Sequence, residues 1–310
     1  MPSRTEEGRR LLPGDVVRVR TWEHVRSTLD NSGMLDGLPF MPEMERFCGR
    51  TFVVSRRIER TCEEVSKQMR RIRDVVYLDD LRCDGADHGG CQKGCFLIWK
   101  QAWLQRAGDE QPSSAGGGRE HAAAFPYEYV SSDGRYVCQS TELVAATARL
   151  PWWDVGMVVR DVRAGTYSAF DMLRIISAAL LRRAWSKLTG KSYRHLEGTC
   201  AKTPTETLNL EPGEWVKVKP RDAILQTLDA AGRNRGLVFT VEMLSFCGGT
   251  YRVLRRLDRM ILERTRRLTD LKDTVILEDV ICNGRHSLRG GCPRANYHYW
   301  REIWLERRRD

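Results

Sequence analysis

The chain has 310 residues, of which 41% are hydrophobic and 30% charged, a composition typical of folded domains rather than of disordered segments. This length accommodates two or three domains, each with its own core. The formal net charge of +10 suits a nucleic acid, an acidic protein or an anionic metabolite as partner.

The first residues, "MPSRTEEGRRLLPG", lack the apolar run of a signal peptide. No uncharged apolar stretch reaches the length of about 18 residues that marks a membrane-spanning helix. We therefore expect a cytoplasmic protein that does not insert into a membrane. In that compartment the ten cysteines would stay reduced, which favours metal sites or reactive thiols over disulfides.

A duplicated segment dominates the organisation of the chain. Residues 14–83 align without a gap with residues 213–282, so that "GDVVRVR" meets "GEWVKVK" and "DVVYLDDLRC" meets "DTVILEDVIC". After a two-residue slip, "GGCQKGCFLIWKQAWLQR" meets "GGCPRANYHYWREIWLERR". A repeat of roughly 95 residues is the size of a domain rather than of a solenoid unit, so the sequence predicts two tandem copies of one domain.

In chain order, we expect an N-terminal tail over 1–13 and a first domain over 14–106. Its opening strand, "DVVRVR", alternates apolar and basic residues, and "EHVRSTLD" has the spacing of a short helix. Three more apolar runs, "RTFVVSRRI", "VVYLDDLRC" and "FLIWKQAWL", read as strands. Four or five short strands around one helical insertion favour a small barrel, because closure removes exposed sheet edges. The opening Gly-Asp/Glu-x-Val-x-Val resembles the first strand of SH3-like and KOW-type barrels.

The cysteines of the first copy have the spacing of a metal site. A glycine-rich turn, "CDGADHGGCQKGC", carries Cys83, Cys91 and Cys95, and Cys48 would reach in from across the sheet. A structural zinc site needs four sulfur or nitrogen ligands at tetrahedral corners. We predict that these four cysteines bind Zn²⁺, with iron as the alternative metal; the alternative without a metal is that they are buried as small hydrophobic side chains.

The second copy retains three of these cysteines, namely Cys247, Cys282 and Cys292. Asn296 stands where the first copy has Cys95. The fourth ligand is then His298, which has the right strand parity, or His286 in the turn, or water. Four protein ligands would make a closed structural site, whereas three ligands plus water would leave an open position for catalysis.

Between the two copies we expect a flexible linker over 107–124, a largely helical middle domain over 125–190 and a second linker over 191–212; the second barrel domain covers 213–310. Within the middle domain, "FPYEYVSSDGRYV" reads as a hairpin with Asp-Gly at its turn. The segment "YSAFDMLRIISAALLRRAWSKLTG" is the clearest helix of the chain, with an apolar stripe that includes Phe170, Leu173 and Leu180. The predicted fold class is therefore mainly β with α: two small SH3-like β-barrels, each with a cysteine-rich metal site, joined by a helical middle segment.

Cys138 is the candidate for thiol chemistry. In "VCQSTEL" it would stand at the start of a short helix, where the pKa of a thiol falls and its nucleophilicity at neutral pH rises. His121 or His195 would have to serve as the base. The alternative is a cysteine that packs under the helix cap. The Trp152-Trp153 pair has two readings as well, as a stacking platform for a base or sugar and as inter-domain packing.

Several longer phrases carry a resemblance. The segments "FCGGTYRVLRR", "DTVILEDVICNG" and "CPRANYHYWREIWLERR", together with "YVCQSTEL" and "WWD", resemble a group of largely uncharacterised bacterial proteins built from tandem cysteine-containing modules. The resemblance implies a soluble bacterial protein accessory to natural-product or surface-polysaccharide synthesis, and it implies no established reaction.

Our leading hypothesis is a zinc-binding accessory protein that binds an acidic protein partner or nucleic acid. The rival is an enzyme, either a thiol-dependent transferase that uses Cys138 or a metal-assisted hydrolase that uses the second copy's site.

Overall fold

The computed structural model describes residues 10–66, 68–108, 125–151, 154, 156–189, 196–284 and 291–308. The chain is mainly β with a smaller share of helix, as the sequence predicts. It divides into two compact units. The first is drawn from Met1–Gly89, Phe96–Ala169 and Leu262–Arg267, and the second from Gly90–Cys95, Phe170–Ile261 and Leu268–Asp310.

The first unit is built around one antiparallel sheet with the strand order β6-β5-β4-β1-β7, in which β8 also pairs with β5. Its elements are β1 Val16–Val19, α1 Trp22–Ser27, β2 Met34–Leu35, β3 Leu38–Pro39, a 3₁₀ helix Pro42–Phe47, β4 Thr51–Cys62, β5 Met69–Leu78, β6 Trp99–Lys100, a 3₁₀ turn Gln101–Trp103, β7 Leu104–Arg106, β8 Ala148–Arg149 and α2 Gly156–Arg163. Helix α3, Ala169–Thr189, follows along the chain and belongs to the second unit from Phe170 onward.

The second unit has a five-stranded sheet with the order β16-β15-β12-β9-β17. Its elements are β9 Trp215–Val218, α4 Arg221–Leu225, β10 Arg233–Asn234, β11 Leu237–Val238, a 3₁₀ helix Val241–Phe246, β12 Thr250–Arg256, β13 Arg259–Ile261, β14 Leu268–Asp270, β15 Thr274–Ile281, β16 Tyr297–Arg301, a 3₁₀ turn Glu302–Trp304 and β17 Leu305–Arg307.

The two sheets correspond strand by strand at the spacing of the sequence repeat. Strand β1 recurs as β9 and the 3₁₀ helix Pro42–Phe47 recurs as Val241–Phe246, each 199 residues later. Beyond the two-residue slip, the 3₁₀ turn Gln101–Trp103 recurs as Glu302–Trp304. Equivalent strands also occupy equivalent places in the two sheets, because β6-β5-β4-β1-β7 matches β16-β15-β12-β9-β17.

Alternating side chains and paired tryptophans form each core. Val17 and Val19 of β1 are fully buried while their neighbours on the strand are not, as the period of two predicts. Trp99 and Trp103 are also fully buried, and both rings meet Phe40 edge to face, with centroids 6.2 and 5.2 Å apart. The second core repeats this arrangement around Phe239.

The tryptophans reach the core by a different route from the one we expect. Alternation in "WREIW" predicts a continuous strand, but β16 ends at Arg301 and a 3₁₀ turn covers Glu302–Trp304. Within that turn Trp304 donates its indole N–H to Thr227 Oγ1 at 2.9 Å. The burial of both tryptophans is thus predicted correctly, although the local backbone is not.

The segments between the two repeats differ in part from the prediction. The hairpin around Asp133-Gly134 is present, with a bridge between Val130 and Tyr136. Residues 125–169, expected in a separate middle domain, group with the first unit. The predicted linker over 191–212 is packed in part, because Leu210 is fully buried in the second core. Most of the linker 107–124 and the Trp152-Trp153 pair lie outside the described residues.

Helix α3 forms where the sequence predicts it, but its apolar stripe is open to solvent. Phe170, Leu173 and Leu180 are 73%, 64% and 62% exposed, whereas Met172 is buried. Among the described residues, no helix combines the length and apolar character needed to cross a bilayer.

Candidate metal centre

The first component of the site is Glu43, on the 3₁₀ helix Pro42–Phe47 of the first unit. Pro42 suits the first position of this helix because no intrahelical partner is needed for its missing N–H. Met44 and Phe47, three residues apart, are both buried in the core, as expected when side chains eclipse every three residues. The packing of this helix carries Glu43 inside with them, to 4% exposure.

The second component is the turn that follows β5, which carries Cys83 and His88. A backbone hydrogen bond from the His88 N–H to the Gly85 carbonyl, 3.0 Å long, folds the chain back toward Cys83. Gly85 adopts a φ of +73°, a conformation that glycine takes without steric cost. His88 is thereby buried, with only 1% of its surface exposed.

An ion pair ties the turn to the 3₁₀ helix. Arg46 Nη1 donates to Asp84 Oδ2 at 2.7 Å. Burial alone would raise the pKa of Asp84, but hydrogen bonds from the Ala86 N–H and from Arg46 lower it below the ordinary value. The ionised Asp84 therefore helps to hold the helix of Glu43 against the turn of Cys83 and His88.

These elements bring three ligand atoms together. Cys83 Sγ lies 3.9 Å from His88 Nδ1, His88 Nδ1 lies 3.6 Å from Glu43 Oε1, and the three groups lie within 4.8 Å of one another. Tetrahedral zinc, with bonds of about 2.3 Å to sulfur and about 2.0–2.1 Å to nitrogen or oxygen, separates sulfur from nitrogen by about 3.6 Å and nitrogen from oxygen by about 3.4 Å. These two separations are a few tenths of an ångström wider than in such a site, and the third, between Cys83 Sγ and a Glu43 oxygen, is bounded at 4.8 Å, so the three ligand atoms would move closer together around an ion.

Three buried polar atoms of Glu43 and His88 have no hydrogen-bond partner among the described residues. Both carboxylate oxygens of Glu43 and the Nε2 atom of His88 are buried without a hydrogen bond within the described part of the chain. A buried carboxylate without hydrogen bonds carries a large desolvation penalty, which a coordinated cation removes. The orphaned oxygens are therefore the physical reason to regard the group as a metal site.

The donor set indicates which ion fits. Thiolate, imidazole and carboxylate are all zinc ligands, and the thiolate disfavours the hard cations Mg²⁺ and Ca²⁺. Three protein ligands leave a fourth tetrahedral position, which water fills in open zinc sites.

Of the four cysteines predicted to bind a metal in the first repeat, only Cys83 belongs to this group. Cys48 ends the 3₁₀ helix and packs against the core; burial, reinforced by Glu45 and Glu23, raises the pKa of its thiol to about 12. Cys91 and Cys95 belong to the second unit, where Cys91 Sγ accepts the Ile261 N–H at 3.4 Å. The predicted four-cysteine site is therefore not confirmed.

The structure brings together parts of the predicted second-repeat set. The Cys282 N–H donates to the Asn296 carbonyl and the Cys292 N–H to the Asn283 carbonyl, at 2.7 and 3.0 Å. The His298 ring lies 5.7 Å from Phe246, next to Cys247 in sequence. His286 lies outside the described residues. Among those that are described, no second group has three ligand atoms within 4.8 Å of one another, so the second zinc site stays a prediction.

Cys138 does not have the local structure that the thiol hypothesis assumes. Residues 139–146 form turns rather than the predicted short helix. The Cys138 N–H donates to Thr141 Oγ1 at 2.9 Å, and the side chain packs partly against the first core. Without a helix, the helix-based reason for a lowered thiol pKa is lost. Both candidate bases, His121 and His195, lie outside the described residues.

Neither Glu43 nor His88 is among the predicted ligands, although both left a trace in the sequence. Glu43 recurs as Glu242 in the repeated phrase Glu-Met, and His88 sits five residues after Cys83 in a glycine-rich turn. Both residues were missed because we predicted that all four metal ligands of the first repeat were cysteines. Only the tertiary structure shows that Glu43 is turned inward.

Comparison with known proteins identifies no relative: no family model, curated protein or solved structure matches the chain.

Proposed function

We propose that the protein is a zinc-binding accessory protein in which Glu43, Cys83 and His88 hold the ion. The observation that carries the proposal is the buried carboxylate of Glu43, whose oxygens have no hydrogen-bond partner within the described part of the chain and face an imidazole and a thiol. The ion would join the 3₁₀ helix to the turn after β5 and so stabilise the first unit.

The strand order supports the SH3-like part of the proposal. In each unit a meander of antiparallel strands ends in a 3₁₀ turn, and the last strand returns to pair with the first, as β7 does with β1 and β17 with β9. This return closes one side of the sheet and is the connection that a small five-stranded barrel requires. We propose two barrels of this type, related by the internal duplication.

The role of the two units would be to bind rather than to transform a partner. The chain carries 51 basic and 41 acidic residues, and such an excess attracts nucleic acid or an acidic protein through long-range electrostatics. The duplicated module with a buried ion supplies a rigid frame for that surface. A place in a bacterial biosynthetic pathway and in the cytoplasm belongs to the same proposal.

Metal analysis of single variants tests the proposal. Purified protein is loaded with Zn²⁺, dialysed and assayed for zinc per chain; Cys83→Ser and Glu43→Gln should each lose one equivalent. Glu242→Gln, at the equivalent position of the second repeat, is the matched control and should keep the wild-type content. Cys48→Ser tests the predicted fourth thiolate, and Cys282→Ser tests the predicted second site. A wild-type chain that retains no zinc, or a Cys83→Ser chain that retains all of it, would overturn the proposal.

A second candidate function, a metal-assisted hydrolase, is favoured by the ligand count. Three protein ligands leave one position for water, and zinc lowers the pKa of a bound water to about 7. The discriminating assay is hydrolysis of nitrophenyl esters and phosphates by the zinc-loaded protein. Turnover that disappears in Cys83→Ser while Glu242→Gln keeps it would favour the enzyme over the accessory protein. For the Cys138 transferase alternative, the test is the rate at which Cys138 is alkylated near neutral pH. A reactive nucleophile would be alkylated faster than a cysteine in a short peptide.

A further inference from the structure

Residues 262–267, the tip between strands β13 and β14, belong to the first unit, where two side chains anchor them. Glu263 accepts hydrogen bonds from the Ser140 hydroxyl at 2.5 Å and from the Glu64 N–H at 3.2 Å. Arg266 contacts both carboxylate oxygens of Glu142, at 2.8 and 3.3 Å. Since residues 263 and 266 hold the tip inward, the side chains between and beside them are left to solvent.

The anchored tip shapes a cationic cleft. Arg264, Thr265 and Arg267 are exposed, and together with Arg135 and Arg266 they line a cavity of about 320 Å³. The backbone holds this shape as well, because the Arg266 carbonyl accepts the Tyr136 N–H at 2.7 Å. We call these five residues the arginine cleft.

The charge of the arginine cleft is only partly balanced. Arg266 pairs with Glu142 and Arg135 pairs with Asp133. Within the described part of the chain, neither Arg264 nor Arg267 forms an ion pair with a carboxylate. The pKa of Asp133 is held below its ordinary value first by the hydrogen bond from Ser131 and then by Arg135 and Arg267. Among the described residues, Arg264 thus has no carboxylate partner, and Arg267 acts on Asp133 only through its charge and not through an ion pair.

The corresponding tip of the first repeat has a different chemistry. Val65, Ser66 and Gln68 stand where the second repeat has Arg264, Thr265 and Arg267. The duplicated fold therefore does not require arginine at these positions. A guanidinium group matches phosphate oxygens with two parallel hydrogen bonds, which a lysine or a neutral residue does not provide.

We propose that the arginine cleft binds a phosphate group, with Arg264 and Arg267 as its principal donors and the Thr265 hydroxyl as a third. The phosphate would come from the backbone of a single-stranded nucleic acid or from a small phosphorylated metabolite. The proposal names the surface that would contact the partner, and it rests on the part of the proposed function in which the protein binds a partner. It does not depend on the metal centre.

The test uses the full chain and the double variant Arg264→Gln/Arg267→Gln. Arg73→Gln/Arg149→Gln is the matched control, because it removes the same charge from exposed positions outside the cleft. The probes are a fluorescent poly(dT) oligonucleotide, inorganic phosphate observed by ³¹P line broadening, and a polyglutamate peptide. Thermal melting and zinc content are measured for every variant.

If the oligonucleotide is the source of the phosphate, the double variant should bind it at least tenfold more weakly than the control does. The slope of log K against log salt should also fall by about 1.4, since each phosphate contact on single strands contributes about 0.7. If the source is a small phosphorylated molecule, oligonucleotide binding stays at the control's level and the phosphate broadening disappears only in the double variant.

Two outcomes would overturn the proposal. In the first, the double variant and the control behave alike toward both phosphate probes. In the second, only polyglutamate binding falls, which would assign the cleft to an acidic protein. Zinc content separates this result from the metal proposal: loss of phosphate binding with full zinc leaves the metal centre intact, and a zinc-free wild type that still binds phosphate refutes the metal centre alone.

Discussion

Replacing Glu43 by glutamine gives the sharpest test of the proposed metal centre, because the expected effect on stability depends on whether zinc is bound. The carboxylate is buried and both its oxygens lack hydrogen bonds within the described residues. Glutamine has nearly the same shape and removes the buried charge. We therefore expect metal-free Glu43→Gln to be no less stable than the metal-free wild type.

With zinc present the order should reverse. A ligand at 1,000 times its dissociation constant stabilises the folded state by about 4.1 kcal/mol, and at 10 times by about 1.4 kcal/mol. Even groups one shell away from a metal change its affinity by about 10–100-fold, so the loss of an anionic ligand should cost at least about 1.4–2.7 kcal/mol. For a unit of this size, the zinc-dependent rise in melting temperature should shrink by roughly 3–11 °C.

Differential scanning calorimetry with EDTA and with buffered zinc measures both quantities on the transition that responds to the metal. Glu242→Gln, at the half-buried counterpart of Glu43, should show the full zinc-dependent rise. A Glu43→Gln protein that gains as much from zinc as the wild type would show that the carboxylate is not a ligand. A large loss of stability in EDTA would show that Glu43 has a structural role without metal.

Three further predictions concern other parts of the chain. Because burial raises the pKa of Cys48 to about 12, its alkylation by iodoacetamide at pH 8 should be about 1,000-fold slower than that of a cysteine in a short peptide. Mass spectrometry of the labelled site measures both rates, and similar rates would contradict the prediction. Glu302 is fully buried and accepts three backbone N–H groups, from residues 208–210, so Glu302→Gln should destabilise the second unit by about 2–3 kcal/mol in urea unfolding; a change below 0.5 kcal/mol would refute the assigned role. Burial opposes ionisation of Asp273, but hydrogen bonds from Arg235 and Thr207 lower its pKa. Its contribution is therefore present above the unfolded pKa and lost as the pH falls through the folded one, so Asp273→Asn should destabilise the protein at pH 7 and little at pH 2; equal effects at both would exclude the linkage.

The strands and the short helix of the repeat were predictable because they depend on local periodicity in the sequence. The alternation of valine in β1 and the spacing of α1 arise from backbone geometry alone, and they fix which residues face the core before any tertiary contact forms. The same holds for the burial of Trp99 and Trp300. The 3₁₀ turn at Glu302–Trp304 was not predictable, because three residues are too few to distinguish a turn from a strand by period.

The group of ligand atoms at the candidate metal centre was predictable only in part. Cysteine spacing pointed to Cys83, which does belong to the group. Spacing does not indicate which chain segments meet, and the sequence did not show that Cys91 and Cys95 group with the second unit while Cys83 groups with the first. A glutamate in a segment that mixes apolar and charged residues is ordinarily exposed, so the local sequence did not indicate that Glu43 is buried.

The sequence by itself determined the duplicated strand pattern and the apolar faces, since both depend on residues near one another along the chain, and it determined the excess of basic residues through composition alone. The tertiary structure alone decided which cysteine lies beside a carboxylate and an imidazole. It also decided that Arg264 and Arg267 lie beside Arg135 and Arg266, which form ion pairs. Both features join segments far apart in sequence, and their energies come from burial and charge pairing, which exist only once the chain is folded.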